Sequence, residues 1–508
     1  VVHAGAFQSQ IMSTAPSIAA TEPASGTASD DDILGLGAVD LAAAIRARRV
    51  SCVEVMTACL DQIDRVNPTV NAIVALRDRA ELIAAAGERD AQAARGEFLG
   101  PLHGFPHAVK DIDAVKGLPF TQGSPIFRDR IAAADSIMVK RLRRAGAIFT
   151  GRTNMPEFGL GSQTFNPVYG ATRNAYDPTK TSGGSSGGAA VAVALHMQPV
   201  ADGSDHAGSL RNPPAFNNLF GLRTGYGRIP IETKDAFTPG LGVSGGIGRS
   251  PADIGLLLSV QAGYDARVPF ANTQDPAIFA EDLKRDFTNA RIAWFDDFGG
   301  YLPFEPGVLD LDRSALAAFE SLGAKVEWDR PRFDMAKVWR DWLTLRAWMT
   351  ASNLRPLYDE PAYRALLKPE AVWEVERGLA LSADQVTAAQ EGRTAWYEAV
   401  RRFQERYDFL LMPSTQVFPF DVEERWPKSV GGRTMDTYHR WMEATIPVTM
   451  SGLPALNVPA GFDPAGRPSG IQIVGPNNGE RACLQLGAAY DAATRWVTRR
   501  RPALLNPS

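Results

Sequence analysis

The chain has 508 residues, 45% of them hydrophobic, enough to bury the core of one large α/β unit or of two to four average domains. Its 53 basic and 57 acidic residues leave a net charge of −4 with no block of like charge, which argues against a nucleic-acid partner and a polybasic membrane anchor. No apolar run approaches the ~18 residues needed to span a bilayer, and the three cysteines, Cys52, Cys59 and Cys483, lack the spacing of a disulfide framework or a zinc site.

Residues 1–32 are rich in Ala, Ser, Thr, Pro and Gly and end in Asp30, Asp31 and Asp32, a composition that reads as a flexible arm. The arm lacks the basic start of a secretion signal and does not begin with Met, so a processed or added segment is expected, with the cytoplasm as the favoured compartment. From about residue 37 the pattern turns helical. Ser51 and Glu54 have capping-box spacing, followed by Val53, Met56, Leu60 and Ile63 on one helical face. A second helix is expected over 74–95. The apolar run Phe105 to Val109 reads as a buried strand ending at Lys110-Asp111, with a helix over 136–145 and a strand from Ala147 to Thr150.

This alternation argues for a layered α/β sheet. The stretch 305–445 differs: it holds Trp339, Trp342, Trp348, Trp373, Trp396, Trp426 and Trp441 among helical patterns, seven of the ten tryptophans. They read either as packing residues of a helical subdomain or as an aromatic substrate pocket, with packing favoured for most. Short strands return at Leu456 to Val458 and Gly470 to Val474, then a helix near 480–494. The chain shows no convincing internal repeat.

The densest chemistry lies between Asn174 and Gly227. Thr181-Ser182-Gly183-Gly184-Ser185-Ser186-Gly187-Gly188 precedes a helix of small apolar residues, and Asp202-Gly203-Ser204-Asp205-His206-Ala207-Gly208-Ser209-Leu210-Arg211-Asn212-Pro213 follows it. A Gly/Ser loop before a helix could by itself cradle a phosphate, yet this one does not fit GxxxxGK[ST] and holds no lysine. A serine nucleophile needs a base, and none of the six histidines, His3, His103, His107, His196, His206 and His439, sits in a GxSxG elbow with an ordered triad.

The larger pattern resembles the amidase signature family. The resemblance rests on the two serine loops, on Gly104-Phe105-Pro106-His107-Ala108-Val109-Lys110-Asp111, and on Gly151-Arg152-Thr153-Asn154-Met155-Pro156-Glu157-Phe158. It resumes in Gly452-Leu453-Pro454-Ala455 and Gly470-Ile471-Gln472-Ile473-Val474-Gly475. Lys110 stands 75 positions before Ser185, and Ser185 stands 24 before Ser209, as family members have them.

The resemblance implies one α/β domain over 33–500, a large mixed twisted sheet flanked by helices on both sides. The stretch 305–445 would be a variable helical cover and 501–508 a C-terminal tail. It implies Ser209 as nucleophile, Ser185 as bridging serine after a cis Gly184–Ser185 peptide, and Lys110 as terminal base, kept neutral by burial. The oxyanion hole would be the amides of His206, Ala207, Gly208 and Ser209. Asp205, Arg211, Gly184 and Ser186 would support the loops, while Gly159, Leu160, Gly123 and Ser124 would border the substrate. Ala207 departs from the usual Gly, and His206 from the frequent Thr; each is either a contact near the substrate or a packing substitution.

The activity implied is hydrolysis of aryl or bulky acyl amides through an acyl-enzyme, with carbamates (urethanes) and esters as variants. No metal or organic cofactor is implied, and the partner is a small amide or carbamate, with a homodimer compatible. Two alternatives stand beside it: the glutaminase subunit of a tRNA-dependent amidotransferase, and a non-catalytic binding protein on an amidase scaffold.

Overall fold

The computed structural model describes the backbone of residues 30–506 except Pro239, and side chains from Ile33 onward. The arm expected over 1–32 lies almost wholly outside the described residues, which begin in a short helix, Asp30–Gly35. At the other end, Leu505 is buried in the main core and Arg65 donates to the Leu504 carbonyl at 2.9 Å.

Eleven strands carry the architecture. They are β1 (Ile73–Val74), β2 (Pro106–Lys110), β3 (Ile148–Thr153), β4 (Val200–Asp205), β5 (Phe220–Arg223), β6 (Val243–Gly248), β7 (Arg291–Trp294), β8 (Lys325–Trp328), β9 (Phe409–Pro413), β10 (Ala455–Phe462) and β11 (Pro468–Val474). Strands β1-β3-β2 form a small sheet, and the other eight form the main sheet in the order β8-β7-β9-β11-β10-β5-β6-β4. The β8/β7 and β7/β9 pairs are parallel and the rest antiparallel, so the main sheet is mixed.

The principal helices are α1 (Cys52–Val70), α2 (Gly187–Ala194), α3 (Asn212–Phe216), α4 (Pro251–Gln261), α5 (Val308–Ser321), α6 (Met335–Asp359), α7 (Pro369–Leu379), α8 (Ala383–Gln404), α9 (Ile446–Ser451) and α10 (Glu480–Thr494). Helix α1 begins as its capping box predicts: the Ser51 hydroxyl accepts from the Glu54 N–H, and the Glu54 carboxylate from the Ser51 N–H. Such a cap contributes ~1 kcal/mol to a helix terminus.

Because strand side chains alternate, the sheet presents two apolar faces. Leu456, Val458, Ile471, Ile473 and Leu411 face one cluster, packed against Phe319 of α5, Leu257 of α4 and Leu484 of α10. Ala455, Val474, Leu410 and Met412 face a second cluster with Trp339 and Trp342 of α6 and Trp396 of α8. Helices therefore cover both sides.

One expectation is corrected. The stretch 305–445 is not a purely helical cover, because it supplies β8 and β9, the latter in the interior of the main sheet. The helical cover proper is α6 to α8. The run Phe409–Pro413 is buried at every position, and a short continuous apolar run lacks the alternation that marks a half-exposed strand. Of the seven tryptophans, Trp339, Trp342, Trp396 and Trp441 are buried, while Trp348, Trp373 and Trp426 are half-buried. No helix among the described residues is long and apolar enough to cross a membrane.

Candidate active site

Strand β2 delivers Lys110 from its C-terminal end into a fully buried position. Its Nζ lies 2.8 Å from Oγ of both Ser185 and Ser186, 2.9 Å from Ser204 Oγ and 3.4 Å from the Ser204 carbonyl. Burial pulls the Lys110 pKa down to about 7, against the opposing carboxylates of Asp202, Asp205 and Asp113. An ammonium offers only donors, but a neutral amine also offers a lone pair. Were the Ser186 and Ser204 hydroxyls to accept the two N–H bonds of a neutral amine, the lone pair would be left for the Ser185 O–H.

The first serine loop turns tightly before α2. The Gly184–Ser185 peptide is cis, and the Gly184 carbonyl accepts from the Ser162 hydroxyl at 2.6 Å. Ser162 in turn accepts from Asn212 Nδ2 at 2.9 Å, which ties this loop to the second one at the start of α3.

The second loop leaves β4 and is organised by the Asp205 carboxylate. That group accepts from the Gly208 N–H at 2.9 Å, the Leu210 N–H at 3.0 Å, Arg211 through Nε at 3.0 Å and Nη2 at 2.9 Å, and Arg223 at 3.0 Å. Burial alone would raise its pKa, but Arg211 and Arg223 hold it well below the usual carboxylate range. Gly208 has φ +107°, and a Cβ there would come within 2.9 Å of Asn212 and Thr445, so only glycine fits. The Gly208 N–H is committed to Asp205. Among the described residues nothing accepts from the amides of His206, Ala207 or Ser209, and nothing hydrogen-bonds the Ser209 hydroxyl. Ser209 is nearly buried at 7% exposure.

Of the four residues expected to border the substrate, Gly159 lies beside the bridging serine: a Cβ on it would stand 3.6 Å from Ser185 Oγ. The Leu160 carbonyl accepts from Lys368 of the cover. The Ser124 hydroxyl is committed to Glu157 at 2.6 Å, and Gly123 packs against the Met155 carbonyl. The cover reaches the second loop through aromatic rings. His206 meets Trp342 with ring centroids 6.4 Å apart, and Trp342 packs against His439 at 4.7 Å and Trp339 at 5.0 Å. Burial pushes the His206 pKa well below the histidine range, so the ring is neutral. Arg346, Glu374 and Tyr438 form a buried triangle beside these rings, with contacts of 2.5, 2.8 and 2.9 Å. Ala207 is buried, and its carbonyl accepts from Thr445 Oγ1 at 3.0 Å.

Sequence reasoning assigned no role to Ser204, Asp202 or Arg223. The first two carried a usable signal: they alternate along β4 and share the face turned to Lys110. Arg223 carried none, since its partner Asp205 lies 18 residues away on a strand two places along the sheet.

The Amidase family model matches residues 54–484 of this chain. An acylamidase from Rhodococcus erythropolis is 34% identical over 477 residues, covering 92% of this chain and 97% of the relative. A glutamyl-tRNA(Gln) amidotransferase subunit from Acidothermus cellulolyticus is 33% identical over 497 residues, covering 92% and 96%. Among solved structures, a bacterial aryl acylamidase of the amidase signature family superposes with a TM-score of 0.87 at 26% identity, covering 93% of this chain and 99% of that one. A 6-aminohexanoate cyclic dimer hydrolase in complex with substrate follows at 0.83 and 27% identity, covering 93% and 100%. With a buried lysine-and-serine centre and matches along nearly the whole chain, the protein belongs to the amidase signature family and is an amide-hydrolysing enzyme.

Proposed function

We propose that the enzyme cleaves aryl or bulky acyl amides through an acyl-enzyme on Ser209, with Ser185 and Lys110 as its proton relay. The observation that carries this reading is Lys110: fully buried, with its pKa brought near neutrality and its Nζ 2.8 Å from Ser185 Oγ. As the Ser209 oxygen attacks the carbonyl carbon, its proton passes to Ser185 Oγ while the Ser185 proton passes to Lys110 Nζ. Negative charge on the carbonyl oxygen would be met by the amides of His206, Ala207 and Ser209, with Gly208 shaping the turn while its own N–H holds Asp205. The C–N bond then breaks, and the leaving nitrogen takes the proton back from Lys110 through Ser185. Water, deprotonated along the same relay, releases the acid and restores Ser209.

The aromatic lining beside His206 favours aryl or bulky groups. The same chemistry extends to esters and to carbamates, so a urethane-cleaving activity is part of the proposal. The test is release of nitroaniline from a 4-nitroanilide by the native enzyme and by Ser209→Ala. Release that vanishes in the variant supports a serine amidase; equal release from both would sink the assignment. The likeness to glutamyl-tRNA(Gln) amidotransferase subunits supports a second reading, a glutaminase working with partner subunits. Hydrolysis of free glutamine with no anilide turnover would favour it.

A further inference from the structure

Strand β2 is an edge of the small sheet, and its outer amides are met by side chains from the β4 region. Gln198 Oε1 accepts the Ala108 N–H at 2.7 Å, and Asp202 Oδ2 accepts the Lys110 N–H at 3.2 Å. The other oxygen of Asp202 lies 2.9 Å from His107 Nε2, and this pair is buried to within 1% exposure on both sides. One carboxylate thus touches the strand on either side of Val109 and faces the lysine at its end. An ionised carboxylate only accepts, so the His107 nitrogen at this contact is the donor.

We infer that His107 and Asp202 form a positioning pair for Lys110, in which Asp202 fixes the strand carrying the lysine and His107 offsets the charge that Asp202 presents to it. This rests on the reading of Lys110 as terminal base. The ionisable groups acting on Lys110 are few. Asp202, Asp205 and Asp113 all favour its charged form. Asp205 is neutralised by Arg211 and Arg223, which bond it directly. Arg152 donates to the Lys110 and Asp113 carbonyls and pairs with Asp111. Asp202 has no arginine or lysine side chain on it among the described residues; His107 is its one side-chain partner. Burial lowers the Lys110 pKa, and the contact with His107 limits how far Asp202 works against it.

Changes at the two residues should move the enzyme in opposite directions, which a merely structural pair would not do. The readout is the midpoint of the acid limb of kcat/KM against pH, which reports the free-enzyme base. Asp202→Asn removes a charge that favours ammonium, so the midpoint should fall, by about one pH unit, the order of a nearby opposite charge. His107→Leu leaves that charge without its donor, so the midpoint should rise. His107→Gln, which restores a donor, should return it towards the native value and serves if the leucine variant does not fold. A midpoint unmoved in Asp202→Asn and in the histidine variants, or moved the same way by both positions, would overturn the inference. Lys110→Ala, measured alongside, separates the two failures. Near-normal activity at neutral pH in that variant would remove the base assignment itself; loss of activity there with unmoved midpoints elsewhere would remove the positioning pair alone.

Discussion

The floor of the site and its cover are built on opposite principles. The floor is made of polar side chains and glycines tied by converging hydrogen bonds: five contacts meet on the Asp205 carboxylate and four on the Lys110 amine. The cover sets large aromatic rings on α6 and α7 around one buried polar triangle, Arg346, Glu374 and Tyr438, and reaches the floor through few polar ties, among them Lys368 to Glu157 and to the Leu160 carbonyl. Hydrogen bonds are directional and costly to leave unmade in the interior, so removing one partner in the floor is expected to cost most. Ring packing depends on area and shape and can be retuned. In the proposed mechanism the difference would separate what makes the reaction run from what selects the molecule it runs on.

The contrast can be broken or sharpened by substitution. The largest effect is expected on the floor: Ser209→Ala should lower kcat by at least about 10⁴-fold, by analogy with other removed serine nucleophiles. Ser185→Ala and Lys110→Ala should each lower kcat by roughly 10²–10⁴-fold, the range of general-base contributions, and single-turnover kinetics would read both losses directly. If either variant instead raised KM with kcat intact, the residue would belong to binding and the contrast would fail.

Stability should follow the same division. Arg223→Met leaves Asp205 short of one of two buried partners, and breaking such a pair costs about 3–5 kcal/mol. Denaturant unfolding would measure it, and a loss within ~0.5 kcal/mol, typical of surface positions, would mean the network is looser than its geometry.

In pH, the native kcat/KM should rise with an acid limb centred near 7. Burial depresses the Lys110 pKa to about 7, and the amine works only when deprotonated, so activity is lost as pH falls through that value. A flat profile from pH 5 to 9 would contradict the burial argument. The smallest effect is expected from the cover: Trp373→Ala, half-buried beside His439, should alter the preference between anilides and small aliphatic amides by roughly 10-fold, the worth of a modest pocket contact, with kcat on the preferred substrate nearly kept.

The same division governs how much could be read from the sequence. Floor residues lie in contiguous segments, so the two serine loops that hold Ser185 and Ser209 and the strand that ends at Lys110 were legible as segments, while the roles proposed for the three residues came from the family resemblance. Boundaries of β2, β10 and β11, and the start of α1, fell within a few residues of their patterns. Ser204 and Asp202 needed the strand alternation of β4 to be applied. The cover was not legible in this way, because its contacts are set by tertiary packing: Arg346 finds Glu374 28 residues on and Tyr438 92 residues on. Strand β9 was hidden for a related reason, since a short apolar run carries no period of its own, and β8, four partly exposed residues at the sheet edge, is too short to show one.

The central claim is that Ser209 carries the acyl group while Ser185 only relays its proton. It is tested most directly by acid-quenching the enzyme during turnover of a slowly released aryl carbamate and locating the added mass by peptide mapping. The account predicts the carbamoyl group on the peptide containing Ser209 in the native enzyme and none in Ser209→Ala. A label on Ser185, or labelling that survives in Ser209→Ala, would contradict it.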